Sequence, residues 1–413
     1  MTFILDSVLL IANYINHQNH TENYDDYWDI GGRMNPFQPS HPVNPKYFAN
    51  RKNVVEAFRL ALRNASETRS VSPTNIAVLG SWGIGKTSVF NKFEHIALKE
   101  MEDINIFVAR VQLNPSACTT ISDFVTFSVN EIERSFDTQG SIKMKIMDKM
   151  LIWKIKSLSF SGLRIEKKEL TQHPVSVFQN SLEELWCRIL KPEGIKVGIL
   201  MFDDLHYLAE NYPKGLYDMR SVFQSLALRD VNFMLCITGP TALFVKIRTL
   251  AEPFARFFDK YELKSFSLDE TKEAITLPLN VEKIDVKMDE KVIEKIYELS
   301  KGHPYFIHFI MRDVLDTGSN KITFEDFEKL YPKIFLHMGK SKFSSDLEIA
   351  SDKEKEVLFK IASAYESVSF SDLGKQYRSS LYRLEEKGLI TKTQRGKYLL
   401  YHPLFREYLR CQR

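Results

Sequence analysis

The spacing of hydrophobic residues divides the chain into an alternating part and a mainly helical part. Up to residue 268, short apolar runs alternate with segments of helical spacing, and beyond it helical spacing dominates. The predicted buried strands lie at 76–79, 106–113, 197–202, 233–237 and 261–266. Buried strands that alternate with helices predict an α/β fold with a parallel sheet.

The helical part contains two groups of segments. Four predicted helices lie at 269–277, 289–300, 304–315 and 324–335. From residue 351, three short helices at 354–364, 370–377 and 379–387 precede a predicted two-strand hairpin at 391–401, which is the order of a winged helix. We therefore predict an N-terminal arm at 1–33, an α/β domain at 34–268, an all-helical lid domain at 269–350 and a winged-helix domain at 351–413. A stretch at 156–168 reads as a hairpin insertion without an assignable role.

Composition changes this picture little. Hydrophobic residues at 44% and charged residues at 26% are ordinary for a globular chain, and a net charge of +3 identifies no partner. The four scattered cysteines have no CxxC spacing, which indicates neither a disulfide framework nor a zinc site and fits a reducing cytoplasm. The apolar stretch at 3–15 is interrupted by Asp6 and Asn13 and is too short to span a bilayer, so no membrane association is predicted.

One glycine-rich loop follows the first predicted strand and precedes a helix. It reads Gly80-Ser81-Trp82-Gly83-Ile84-Gly85-Lys86-Thr87, with Ser88 next. In this setting successive backbone N–H groups can face one anionic site at the start of the helix. The pattern is typical of loops that bind ATP or ADP, with Lys86 at the β- and γ-phosphates and the Thr87 hydroxyl on Mg²⁺. A plain glycine-rich turn would leave the buried strand and the Lys-Thr pair unexplained.

Two later strands end in polar residues. The apolar run at 197–202 is followed by Asp203 and Asp204, which a parallel sheet would place at its carboxyl edge. Asp203 is a candidate Mg²⁺ ligand and Asp204 a candidate general base, although an aspartate is one methylene shorter than the glutamate of many ATPases. Thr238 ends the run at 233–237 and could contact the γ-phosphate or its water. Capping of the strand ends is the alternative for all three residues.

The order of these motifs resembles that of the additional-strand P-loop ATPases, in which one strand separates the phosphate loop from the acidic strand. Within that group the chain resembles the STAND and origin-recognition-like AAA+ ATPases, from about residue 35 to the end. The segment Asn35-Pro36-Phe37, followed by Asn50 and Arg51, is similar to their adenine-side N-terminal motif, although Asn50 replaces a glycine.

The same resemblance implies roles for three further residues. Pro304 in Gly302-His303-Pro304 resembles a lid proline that packs near adenine, with an ordinary helix start as the alternative. His402 resembles a histidine that contacts the β-phosphate of ADP and locks a closed state, with a surface residue as the alternative. Arg256 lies where these proteins often have an arginine that faces a neighbouring subunit or the γ-phosphate, and a structural ion pair is its alternative.

The predicted winged helix is locally basic. Residues 351–413 carry thirteen Lys or Arg against eight Asp or Glu, a larger surplus than that of the whole chain. Candidate contacts to double-stranded DNA phosphates are Arg378, Arg383, Lys387, Lys392, Arg395 and Lys397. Against DNA binding, Glu385 and Glu386 share the helix, and the resemblance implies internal packing for this domain.

Three functions follow as rival hypotheses. The first is an ATP-binding and slowly hydrolysing switch, whose nucleotide state controls domain arrangement, homo-oligomer assembly or binding of a separate effector protein. The second is a DNA-binding protein of the replication-initiator type that ATP modulates. The third is an interaction protein that holds nucleotide without turnover, which the Asp203-Asp204 pair keeps open.

Overall fold

The computed structural model describes residues 35–67, 73–137, 139, 153, 173–250, 252–364, 367–393 and 396–412. The predicted arm at 1–33, the predicted hairpin at 156–168 and Arg395 lie outside the described residues. The chain divides into two compact units. The first, here called the α/β unit, runs from Pro42 to Lys264, and the second, here called the helical unit, contains the chain up to His41 and from Ser265 onward. The segments predicted as separate lid and winged-helix domains share the helical unit.

The α/β unit alternates helices and strands along the chain. Its elements are α1 Lys52–Glu67, β1 Asn75–Leu79, α2 Lys86–His95, β2 Ile106–Gln112, α3 Ile121–Arg134, α4 Pro174–Glu184, β3 Val197–Asp203, α5 His206–Asn211, α6 Gly215–Ala227, β4 Phe233–Gly239, α7 Thr241–Leu250, α8 Glu252–Ala255 and β5 Phe258–Glu262. A π-helical turn extends α2 over Ile96–Glu100 and another extends α4 over Leu185–Leu190.

The five strands of the α/β unit form one parallel sheet in the order β2-β3-β4-β1-β5. β4 therefore lies between β1, which leads into the glycine loop, and β3, which ends in Asp203. This order confirms the predicted additional strand. All five strands run in the same direction, so the ends of β1, β3 and β4 meet at one carboxyl edge.

Strands β1 to β4 are buried on both faces of the sheet, which explains their continuous apolar runs. Phe107, Ala109 and Val111 of β2 pack in one hydrophobic cluster, whereas Ile106 and Val108 pack in the other. On that second face the rings of α1 and α2 stack, with Phe58 and Phe93 centroids 3.9 Å apart. This packing fixes α2 against the sheet and with it the loop that precedes α2.

The helical unit consists mainly of short helices and very short strands. Its elements are α9 Leu268–Val281, β6 Lys287–Met288, α10 Glu290–Ser300, α11 Pro304–Leu315, β7 Lys321–Ile322, α12 Phe324–Met338, α13 Ser344–Glu348, α14 Asp352–Ser363, β8 Val368–Ser369, α15 Phe370–Leu373, α16 Arg378–Glu386, β9 Ile390–Lys392, β10 Lys397–Leu400 and α17 Pro403–Cys411. β10 pairs antiparallel with both β8 and β9, which forms a small sheet beside α14 and α16.

Several predicted boundaries differ from the structure, and three of these differences have a local cause. β5 covers Phe258–Glu262 rather than 261–266, because this edge strand tolerates the exposed Asp259 and Lys260 that interrupt its apolar pattern. α9 continues through Pro278 to Val281 instead of ending at residue 277. The predicted helix at 370–377 is broken at Gly374, whose φ of 101° is left-handed.

Within the ranges that the structure describes, no helix combines the length and the apolar composition that crossing a bilayer requires.

Candidate phosphate-binding site

The glycine loop joins the carboxyl end of β1 to the first turn of α2. Gly85 stands at the N-cap of α2 with a φ of 97°, which glycine adopts without steric cost. The Ile84 side chain is buried and anchors the loop, whereas the Trp82 side chain is 59% exposed. The buried Ile84 side chain and the bond from the Gly80 N–H to the Gly239 carbonyl, at 3.1 Å, thus hold the loop against the end of the sheet.

Lys86 is the first residue of α2 and its side chain folds back over the loop. Its Nζ donates hydrogen bonds to the backbone oxygens of Gly80, at 3.1 Å, and Ser81, at 2.9 Å. Burial lowers the pKa of the Lys86 ammonium, and the nearby carboxylates of Asp204 and Asp203 oppose that shift. The ammonium therefore lies against the backbone of the loop, and the charges of both acidic residues at the end of β3 act on it.

Asp203 and Thr238 form a buried pair across two neighbouring strands. Neither residue is exposed to solvent, and the Thr238 hydroxyl donates to Asp203 Oδ1 at 2.5 Å. The same hydroxyl accepts the backbone N–H of Asp204 at 2.9 Å. Thr238 thereby orients both acidic residues, since one hydroxyl fixes a side chain and a backbone group together.

Asp204 stands just past the end of β3 in a strained backbone conformation. Its φ is 59°, which is uncommon for a residue other than glycine and recurs at functional sites. Burial raises the pKa of the Asp204 carboxyl, and the charge of Asp203 raises it further. His206 Nδ1 lies 3.6 Å from Asp204 Oδ1, in ion-pair range but beyond a hydrogen bond. Burial lowers the pKa of His206.

Sequence reasoning missed Arg110, whose guanidinium pairs with Asp203 at the end of β3. Its Nη2 lies 2.9 Å from Asp203 Oδ2, and its Nη1 lies 2.5 Å from Asn91 Oδ1 on α2. One signal could have found it, since a charged residue interrupts the apolar run that we predicted as β2. A buried charge in a strand requires a partner of opposite charge.

The two residues predicted to hold Mg²⁺ fit that ion by chemistry. Thr87 supplies a hydroxyl oxygen and Asp203 a carboxylate oxygen, and Mg²⁺ prefers oxygen ligands. Among the described residues no group of three or more His, Cys, Asp or Glu could hold a metal ion by itself.

Residues of the α/β unit that precede α1 contact the glycine loop and the start of α2. Asn50 and Arg51 have φ values of 60° and 58°, so both adopt the left-handed conformation. That explains the glycine of the related motif, because asparagine is the residue that best replaces glycine there. The Arg51 Nη2 donates to the Ile84 carbonyl at 3.4 Å, and the Val43 N–H donates to the Ser88 hydroxyl at 3.1 Å.

Arg256 lies at the opposite edge of the sheet. It precedes β5, whose first residue Phe258 pairs with Asn75 at the start of β1, whereas the loop follows the end of β1. The length of β1 places about 13 Å between these edges. The Arg256 side chain is 77% exposed and pairs with Glu252 at 2.7 Å. This position argues against contact with the γ-phosphate of its own chain, and the role toward a neighbouring subunit stays a prediction.

His402 and Pro304 belong to the helical unit. The Leu404 N–H donates to His402 Nδ1 at 3.2 Å, so Nε2 carries the proton and donates to the Ser300 carbonyl at 2.9 Å. The His402 ring packs on Phe306, with centroids 3.9 Å apart. Burial lowers the pKa of His402 to about 4. Both ring nitrogens are therefore used inside the unit, which corrects the alternative of a surface histidine. A contact with the β-phosphate would require one of these bonds to break, and it stays a prediction. Pro304 starts α11, and its contact with adenine stays a prediction.

The predicted DNA contacts separate into two groups. Arg383 and Lys387 bind the buried Glu354 carboxylate, at 2.6 Å and 2.7 Å. Arg378, Lys392 and Lys397 are exposed. A surface groove on α16 is lined by Lys375, Gln376, Arg378, Ser379, Tyr382 and Arg383.

Solved structures provide the comparison for the whole chain. A Walker-type ATPase of Pyrococcus abyssi matches with a TM-score of 0.57 and 16% identity, over 89% of this chain and 98% of that chain. The ORC2 protein of Aeropyrum pernix, in ADPNP–ADP complexes, matches with a TM-score of 0.58 and 14% identity, over 92% and 98%. The chain has a P-loop NTPase fold. At these identities the similarity concerns the fold alone, and no protein-family model or curated protein matches the sequence.

Proposed function

We propose that this chain binds ATP and ADP with Mg²⁺ at the glycine loop and hydrolyses ATP slowly, as a switch of the AAA+ or STAND type. The observation that carries the proposal is the chain of contacts from Asp203 through Thr238 to Asp204, on the strands β3 and β4 next to the strand that leads into the loop. The charges of both carboxylates act on the ammonium of Lys86, and this grouping of charges suits a phosphate-bound metal.

The proposed chemistry assigns one task to each group. Backbone N–H groups of the loop and the Lys86 ammonium bind the phosphates, and Thr87 with Asp203 hold Mg²⁺, which neutralises charge on the phosphates when bound. Asp204 accepts a proton from the attacking water. The Thr238 hydroxyl holds the backbone of Asp204 in place. Slow turnover follows from the short Asp204 side chain, which reaches less far than a glutamate.

Hydrolysis is tested by single-turnover measurement on Asp204→Asn. We expect the rate to fall about 100-fold, because a positioned general base contributes a factor of this order. ATP affinity should stay within about threefold, since the substitution keeps the shape of the side chain. Asp259→Asn on β5, which is exposed, is the matched control. An unchanged rate in Asp204→Asn would remove Asp204 from the mechanism.

The switch itself is tested by size-exclusion chromatography with light scattering in ATP, in ADP and without nucleotide. We expect the mass or the elution volume of the wild type to differ between ATP and ADP, because a nucleotide shifts only an equilibrium whose states it contacts differently. Lys86→Ala should elute identically in all three conditions. Identical elution of the wild type in all three would contradict a nucleotide-dependent change of conformation or assembly.

A second candidate function is DNA binding by the C-terminal segment, which we propose to be a winged helix. The favouring observation is the set of exposed cations Arg378, Lys392 and Lys397, on α16 and on the hairpin of β9 and β10. Arg383 is a weaker candidate because its guanidinium is paired with Glu354.

The DNA hypothesis is tested with the double variant Lys392→Ala/Lys397→Ala. Its affinity for duplex DNA should fall about tenfold, and the slope of log affinity against log salt should drop by about 2, because each lost phosphate contact removes about one released counterion. Lys291→Ala/Lys329→Ala, on α10 and α12, is the control. An unchanged slope in the first variant would exclude these lysines from the interface.

A further inference from the structure

Arg110 joins three elements around the end of the acidic strand. From β2 its guanidinium contacts Asp203 on β3, at 2.9 Å, and Asn91 on α2, at 2.5 Å. Its Nε is buried and has no hydrogen-bond partner in the part of the chain that the structure describes. Because Thr238 occupies Asp203 Oδ1 and Arg110 occupies Oδ2, both oxygens of this fully buried carboxylate already have a donor.

The position of Arg110 matters because phosphates and carboxylates repel each other. Asp203 is linked through Arg110 to Asn91 on α2, the helix that follows the glycine loop, so a nucleotide bound at the loop would bring further negative charge toward it. A divalent cation ordinarily offsets this repulsion. Here the Arg110 guanidinium already pairs with the Asp203 carboxylate and neutralises its charge.

We propose that Arg110 is a positioning residue that sets the metal requirement of the nucleotide site. It neutralises Asp203 and orients its carboxylate, so the site retains nucleotide when Mg²⁺ is absent. When Mg²⁺ is present, the guanidinium and the ion compete for the same carboxylate, which limits the gain in affinity from the metal. This inference rests on the proposed function, because it concerns nucleotide bound at the glycine loop.

The test is the ratio of the dissociation constants for a fluorescent ADP analogue in EDTA and in Mg²⁺. For the wild type we expect a ratio below about 10, since Arg110 replaces part of the charge of the metal. In Arg110→Met the ratio should rise at least about tenfold, because the affinity in EDTA falls while Mg²⁺ can still neutralise Asp203. Arg59→Met, which removes an arginine paired with Glu100 far from Asp203 in sequence, should keep the wild-type ratio.

Two further variants keep the proposal testable if Arg110→Met folds poorly around an unpaired Asp203. Arg110→Lys retains the charge and should keep a low ratio. Arg110→Met/Asp203→Asn removes both charges and should recover affinity in EDTA to within about threefold of the wild type. Circular dichroism and thermal melting check the fold of each variant.

Two results would overturn the proposal. One is an unchanged ratio in a folded Arg110→Met variant, or, where that variant does not fold, a raised ratio in Arg110→Lys. The other is a wild type that binds the analogue in Mg²⁺ but loses it entirely in EDTA. Failure of the wild type to bind in either condition would instead contradict the proposed function itself.

Discussion

The two units of the molecule use buried polar residues in different ways. In the α/β unit, Asp203, Thr238 and Arg110 meet at the carboxyl edge of the sheet, next to the loop that carries Lys86. In the helical unit, His402 and Glu354 are buried as deeply, but their partners are backbone oxygens and cations of the same unit. A buried polar residue therefore indicates a site only where a ligand-binding element lies beside it.

The difference has a physical origin. Parallel strands bring their polar ends together at one edge, so a short polar residue after each apolar run becomes part of a shared site. Helices packed by their side chains have no such common edge. A polar residue buried among them needs an internal partner, because leaving it unpaired costs about 1–3 kcal/mol.

The largest effect is expected for Gly302→Ala in the helical unit. A Cβ at Gly302 would lie 1.9 Å from the Phe266 carbonyl oxygen, and its φ of 68° is left-handed. We expect a loss of about 4 kcal/mol in the free energy of unfolding, from strain and overpacking together. The control Gly388→Ala has a similar φ of 70° without a nearby atom and should lose only about 1 kcal/mol. If urea titrations gave both variants the same loss in the free energy of unfolding, the close approach of Gly302 to Phe266 would not contribute to that loss.

A second experiment separates structure from ligand binding at His402. His402→Ala removes a ring packed on Phe306 and a hydrogen bond to Ser300, so we expect unfolding to be easier by about 3 kcal/mol. The affinity for ADP should change less than about threefold, since both nitrogens are occupied within the unit. His41→Ala, an exposed histidine of the same unit, is the control. If His402→Ala bound ADP more weakly while its stability stayed unchanged, His402 would contact the phosphate as predicted. The contrast drawn here between the two units would then be wrong.

The smallest effect is expected at Glu354, and it depends on pH. Burial alone would raise the pKa of this carboxyl, but hydrogen bonds from Lys387 and Arg383 lower it to about 2. Since this value lies below the pKa of about 4.3 in an unfolded chain, the stabilisation is complete above about pH 4.3 and is lost as the pH falls toward 2.

Glu354→Gln should therefore unfold about 2 kcal/mol more easily than the wild type at neutral pH, and this gap should close below about pH 4. Glu385→Gln, on the exposed face of α16, should show little effect at either pH. A gap that stays constant between pH 7 and pH 3 in chemical denaturation would rule out the ionised carboxylate as its cause.

Much of the α/β unit could be predicted from local sequence. The loop, the strand before it and the acids after β3 are contiguous patterns, and the order of β4 between β1 and β3 followed from the resemblance. Arg110 was missed because β2 was read as a uniform apolar run. The pairing of His402 with Ser300 joins residues far apart in the chain, and no local pattern contains it. The left-handed backbone of Asn50 was not predicted, although the glycine that it replaces in the related motif could have indicated it.

The central claim, that nucleotide binds at the glycine loop, is tested most directly by titrating ATP into Lys86→Ala and Lys92→Ala by calorimetry. Both lysines lie on α2, but Lys92 pairs with Glu100 at 2.7 Å, whereas Lys86 folds over the loop. We predict wild-type affinity for Lys92→Ala and a loss of about 100-fold for Lys86→Ala, as expected for a charge-assisted bond to phosphate. Tight ATP binding by folded Lys86→Ala would contradict the account.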